Sequence, residues 1–269
     1  MAVTETLVGF TPELQTSIRD MILVLADSKR LLGMRYGEWI LGSPELEAGI
    51  ACAAMAQDEW GHARLLYALL RDFDDDVHAL EYTREPHEYS SMEALDTEPV
   101  DWPGLVALNA LADTALSVQC EALRDSAYPP IAQRVGKLLD EERFHDAHGV
   151  AWFRRLARGG DEARAAITAA TAAILPGILA WFGPDSERAR QLVDAGVAQA
   201  AGSELRDRYT ERIAPLLREL VDDENVAIGT AVPDLAGFDE ARRRTSPGGP
   251  DAATIAKVRG DKNRAFLVD

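Results

Sequence analysis

Apolar residues recur at steps of three and four along almost the whole chain of 269 residues, and no alternating stretch bounded by hairpin turns interrupts them. That period predicts helices throughout. A first helix is expected from about Pro12 to Leu41, where "GSP" at Gly42–Pro44 supplies a C-terminal glycine, a serine cap and a proline suited to a first helical turn. A second is expected from Pro44 to about Asp72. Residues 74–100 carry acid runs and prolines with little periodicity, and so form a long connection. Asp101 and Pro103 open a third helix that runs to about Asp125, and "SAYPP" turns the chain into a fourth, from about Pro129 to Ala157.

Two hairpins joined by one long crossover is the connectivity of a ferritin-like four-helix bundle. The expected fold class is therefore all-α, with further helices at roughly 161–182 (kinked at Pro176), 185–201 and 203–222 flanking the bundle. Residues 1–222 form one bundle domain on this reading. Residues 223–269, richer in glycine, proline and charge, form a partly irregular extension that lies on a surface or on a partner.

Composition narrows the function. Hydrophobic residues make up 47% of the chain, enough for a well-developed core, which excludes a disordered protein. The formal net charge of −17 argues against nucleic acid and against an anionic membrane as partners, since both require a basic face. The two cysteines, Cys52 and Cys120, lie far apart in apolar helical stretches and read as buried small hydrophobes in a reducing compartment. With no basic leader and no run of eighteen uninterrupted apolar residues, a cytoplasmic protein is expected.

Candidate chemistry sits in two short strings. "QDEWGHARLLYALL" carries Glu59 and His62, and "LLDEERFHDAHG" carries Glu142 and His145 at the same spacing. At i and i+3 each pair shares one helix face. Residues equally far from a hairpin turn lie at one height, so partners can be counted out. The Glu59/His62 midpoint lies ~17 residues past the first turn, which points to helix one near residue 27. The same count from the second turn reaches Asp113. Glu38 and Glu121 sit too near their turns to take part. Glu59, His62, Asp113, Glu142 and His145 thus supply five of the six donors expected of a bundle that holds two metal ions, with the sixth due from Asp27, Ser28 or Lys29. Carboxylates bridge hard ions and offset their charge, and each neutral imidazole adds a nitrogen ligand. Asp58 and Glu141, just before the ligand glutamates, are expected to be supporting or solvent-facing, and His78, His87 and His148 to lie on the surface or in loops.

The strings "GEWILGSPELEAGIACAAMAQDEWGHARLLY" and "SAYPPIAQRVGKLLDEERFHDAHG" resemble the phenylacetic acid catabolic proteins, the ferritin-like subunits of the phenylacetyl-CoA epoxidase complex, over about residues 15–158. The resemblance implies that the ligands of the catalytic member fall on Glu59, His62, Asp113, Glu142 and His145. "GEW" and "PELE" look more like the companion member, which has typically lost its ligands. Aligned on Trp39, the first-helix glutamate ligand falls on Lys29, and a protonated lysine cannot ligate a metal.

Lys29 leaves several readings open. Asp27 supplies the carboxylate instead; Lys29 loses its proton or points away; its ammonium replaces one cation; or it is a plain surface lysine. The resemblance implies two iron ions (or mixed iron and manganese), dioxygen as co-substrate, and a monooxygenase acting on an organic substrate, an aromatic acyl-CoA among the candidates. Electrons would come from a separate reductase, because the chain carries no flavin, nicotinamide or iron–sulfur motif. A homo- or hetero-oligomer with a related subunit is expected. The alternatives are a non-catalytic companion subunit, or a metal-storage or peroxide-consuming protein.

Overall fold

The computed structural model describes residues 5–221 and 232–266. The parts of the expected extension at 223–231 and 267–269 lie outside the described residues. Thr11 caps the first helix, α1 (Pro12–Glu38), by accepting from the Leu14 amide, and the next proline takes the first-turn position that needs no donor. α1 is buried along nearly its whole length, Asp27, Ser28 and Lys29 included. It ends earlier than the expected Leu41, because the chain leaves helical geometry at Trp39. α2 (Leu46–Leu69) returns antiparallel to it.

The crossover holds one short helix, α3 (Val77–Tyr82), and two short 3-10 turns, Pro86–Glu88 and Glu93–Leu95. The third bundle helix is continuous but not uniform. α4 (Trp102–Ala107), capped by Asp101, passes through a π turn at Leu108–Asp113 into α5 (Thr114–Glu121). A π turn inserts one residue into the helical repeat, and such turns concentrate at functional sites. Here it ends on Asp113. α6 (Pro129–Ala157) completes the bundle with the expected bounds.

Among the described residues, four further helices cover the bundle. α7 (Asp161–Trp181) is long and apolar enough by composition to cross a membrane, yet Ile167, Leu175, Ile178 and Leu179 are buried against the bundle. α8 (Glu187–Asp194) is shorter than the sequence suggested, and α9 (Gly202–Leu220) lies against α5 and α6. The late segment is tied to the crossover. Arg242 donates to the Tyr89 carbonyl, Arg244 pairs with Asp96 at 2.5 Å, and α10 (Ala252–Arg259) reaches α1 through Thr254, which accepts from Arg35 at 2.7 Å.

Two glycines let the helices close up near the bundle's middle. A Cβ on Gly33 would lie 2.6 Å from the Trp60 indole and 3.1 Å from the Glu59 Cβ, so α1 and α2 can meet this closely only without a side chain there. Gly149 does the same for α6, where a Cβ would lie 2.9 Å from the Asn109 side chain on the π turn.

Candidate metal centre

α1, α2, the π turn and α6 each send charged side chains to one buried spot. Glu59 and His62 arrive from α2, Asp113 from the end of the π turn, and Glu142 and His145 from α6; none is more than 4% exposed. One donor atom each from Glu59, Asp113, Glu142 and His145 falls within 4.8 Å of the others. The cross-bundle arrangement is nearly symmetric. His62 Nδ1 faces Glu142 at 3.1 Å, and His145 Nδ1 faces Glu59 and Asp113, both at 3.2 Å. On the far side of each ring, Nε2 meets a carboxylate of the opposite helix: Glu141 at 2.7 Å for His62 and Asp58 at 3.4 Å for His145. Asp58 and Glu141 therefore sit just outside the centre, partly exposed, and orient the rings.

Lys29 stands in the middle. Its side chain is fully buried, and Nζ donates to Glu59 Oε1 at 2.9 Å, Asp113 Oδ1 at 2.8 Å and Glu142 Oε1 at 2.7 Å. A surface position is ruled out. Asp27, two residues earlier, faces the opposite side of α1, because a two-residue step turns the helix by roughly 200°. Its carboxylate is taken up by Arg84, by the Tyr67 hydroxyl and by the Ser90 amide at 2.7 Å. Ser28 donates to the Val24 carbonyl and accepts from the Met92 amide. Helix one therefore brings no carboxylate to the centre. Glu38 pairs with Arg35 and Lys257, and Glu121 with Arg212, both away from it.

Burial penalises every charge here, and neighbouring charges decide what survives. Burial pulls the Lys29 ammonium down, but Asp113, Glu142 and Glu59 together hold it well above the ordinary lysine value. Burial pushes Asp113 up, and Lys29 and His145 more than reverse it, so its carboxylate stays charged. Glu142 is pushed up to about 7 by burial and by the Asp113 charge. Burial lowers the two imidazoles, yet hydrogen bonds to carboxylates win in both: His62 is raised, chiefly by Glu142, and His145 is pushed up to about 11 by Asp113 and Glu59.

Sequence spacing did not disclose the supporting residues. Tyr36 donates to Asp113 Oδ2 at 2.8 Å, Ser117 to Glu142 Oε2 at 3.3 Å, and Asn109 Nδ2 to both the Tyr36 hydroxyl and the His145 carbonyl. They lie four or seven residues from Asp113 or Lys29 on the same helix faces, which is the one signal that would have found them. His148 differs from its expected surface role. It is partly buried one turn beyond His145, with Nδ1 3.0 Å from Asn109 Oδ1. His78 and His87 are exposed.

The family model of the phenylacetic acid catabolic proteins matches residues 9–223. This chain belongs to that family. It is 29% identical over 141 residues to one component of the 1,2-phenylacetyl-CoA epoxidase of Escherichia coli (strain K12), a match covering 52% of this chain and 57% of that protein. It is 27% identical over 205 residues to a second component of the same epoxidase, covering 74% of this chain and 62% of that protein. The chain thus spans about three-fifths of the length of each of these relatives.

The donor set can be weighed against the two ions a bundle of this family implies. Two features suit a metal: imidazoles with Nδ1 inward and Nε2 backed by carboxylate, and a buried carboxylate oxygen, Glu59 Oε2, that lacks a hydrogen-bond partner. The third does not. Lys29 holds one inward oxygen of each of the three carboxylates, and among the described residues no fourth carboxylate takes its place in the centre. As these side chains stand, two ions do not fit.

Proposed function

We propose that this chain serves as one member of an oxygen-using complex that acts on an aromatic acyl-CoA thioester, of the kind that 1,2-phenylacetyl-CoA epoxidase represents. The observation that carries the reading is a family bundle whose buried centre keeps both Glu-x-x-His pairs and Asp113 facing inward. Five ionisable groups in one core each cost desolvation that apolar side chains avoid, so this centre is not generic core packing. Electrons for oxygen reduction come from a separate reductase, and the related subunit is a hetero-oligomeric partner.

Within such a complex the chain either carries a di-iron (or iron–manganese) centre itself or accompanies a partner that does. The inward Nδ1 atoms, each backed by a carboxylate on the far ring nitrogen, favour the first place, that of the monooxygenase itself. Lys29 favours the second.

The test removes the chain from its host and follows phenylacetyl-CoA-dependent oxygen uptake in extracts. Uptake is expected to fall at least tenfold and to return when the chain is supplied again. Unchanged uptake without the chain overturns the reading.

A further inference from the structure

We infer that Lys29 is the resident cation of this centre: its ammonium stands where the family's bundles are expected to hold metal, and the centre is complete without any ion. The inference concerns the same site as the proposed function. It rests on that reading only for its consequence, that this chain is the companion and the oxygen chemistry belongs to a related partner.

The geometry leaves Lys29 no spare capacity. An ammonium has three N–H groups, and all three are spent on Glu59, Asp113 and Glu142 at 2.7–2.9 Å, one oxygen from each acid. Those acids come from three different elements, so one side chain from α1 ties α2, the π turn and α6 together. Nor has the ammonium another place to go. Its neighbours on α1, Leu25, Ala26, Leu32 and Gly33, are themselves buried, and the Asp27 carboxylate across the helix is already held by Arg84. A withdrawn Lys29 would be a buried cation without an acid, and the three acids would be left to the incoming ions alone.

Charge points the same way. The three carboxylates already face one ammonium and two imidazoles, and two divalent ions beside that ammonium would leave this enclosed site with excess positive charge. Glu59 Oε2, buried without a hydrogen-bond partner and 3.9 Å from His62 Nδ1, is what is left of three carboxylates whose other inward oxygens Lys29 has engaged. This predicts a latent site. Take away the ammonium and keep the acids, and the centre becomes metal-dependent.

The experiment compares the full chain with Lys29→Met by anaerobic titration with Mn(II) and Fe(II), and by thermal unfolding with and without Mn(II) or chelator. The parent is expected to bind less than ~0.2 ion per chain and to melt at one temperature whether or not metal is present, because only a ligand that binds the folded state shifts the transition. Lys29→Met is expected to melt roughly 6–20 °C lower in chelator, the shift that a broken buried ion pair gives a chain of this size, and to regain most of it as Mn(II) is added. Two ions bound per parent chain, with a melting temperature that climbs with metal, overturns the inference, and so does a variant that melts like the parent in chelator. Should Lys29→Met fail to fold, the parent's titration decides by itself. A failure here leaves the oxygen-uptake result standing, and a failure there leaves this one.

Discussion

Asp27 and Lys29 sit two residues apart on one helix, both fully buried, and they build two ion clusters of opposite design. On one face α1 supplies the acid. Asp27 receives the Arg84 guanidinium, the Tyr67 hydroxyl and the Ser90 amide, and Arg84 also stacks on the Tyr89 ring at 4.1 Å. On the other face α1 supplies the cation, and three helical elements supply acids and imidazoles. The difference lies in what surrounds the charge. Asp27 is met only by donors fixed in place, so its cluster is a clamp that holds the crossover to α1 and has no atom free to take a ligand. Lys29 is met only by acceptors, one of them, Glu59, keeps an oxygen without a hydrogen-bond partner, and removing the lysine exposes a ligand set.

Breaking the clamp has the largest expected effect. Asp27→Ala strands the Arg84 guanidinium in a buried place, a loss of ~3–5 kcal/mol that urea unfolding would register, with faster proteolysis in the crossover. No metal is expected to restore it, in contrast to Lys29→Met. A loss below ~1 kcal/mol, or rescue by Mn(II), would show that the two faces do not differ as described.

The pH dependence separates the clusters next. His145, pushed up to about 11 in the fold, contributes stability that is fully present below its unfolded value of ~6.5 and is lost as pH rises toward the folded value. Glu142, raised to about 7, adds to the decline, because the fold holds its proton longer than the unfolded chain does. Melting temperature is therefore expected to fall steadily from pH 6 to pH 10. His145→Gln flattens the upper part of that slope, whereas Asp27→Ala shifts the whole curve down and leaves its shape. Parallel curves for parent and His145→Gln would contradict the assignment.

Tyr36→Phe tests the central cluster more gently. It removes the hydrogen bond to the charged Asp113 and the one accepted from Asn109, and a loss of about 1.5–3 kcal/mol is expected by chemical unfolding. Breaking the exposed pair of Arg155 and Glu45, 3.0 Å apart, by Arg155→Ala is the control, with a change below ~1 kcal/mol. If the control costs as much as Tyr36→Phe, burial is not what gives these clusters their weight.

How much of this could be read beforehand follows from what each signal is made of. A period of three and four is local, so the four bundle helices and the α6 bounds were legible. That Glu59, His62, Glu142, His145 and Asp113 converge followed from a shared helix face and from equal distance to a turn. Asp27 was a candidate for the centre because its partner Arg84 comes from the crossover, where no periodicity reports position. Lys29 could not be decided from sequence, since a lysine's role depends on what faces it, and that is set by four elements meeting. Tyr36, Asn109 and Ser117 share a helix face with Lys29 or Asp113, but so do many residues without a role, and that spacing alone does not single them out. The hold of the late segment on the crossover, through Arg242, Arg244 and Thr254, was invisible for the same reason.

The most direct test of the central claim is an anomalous-scattering map from crystals of the parent chain grown anaerobically with excess Fe(II). No anomalous peak is expected among Glu59, Asp113, Glu142 and the two histidines, and density for Lys29 Nζ is expected within hydrogen-bonding reach of all three carboxylates. Two peaks at that spot, with Lys29 displaced, would contradict it.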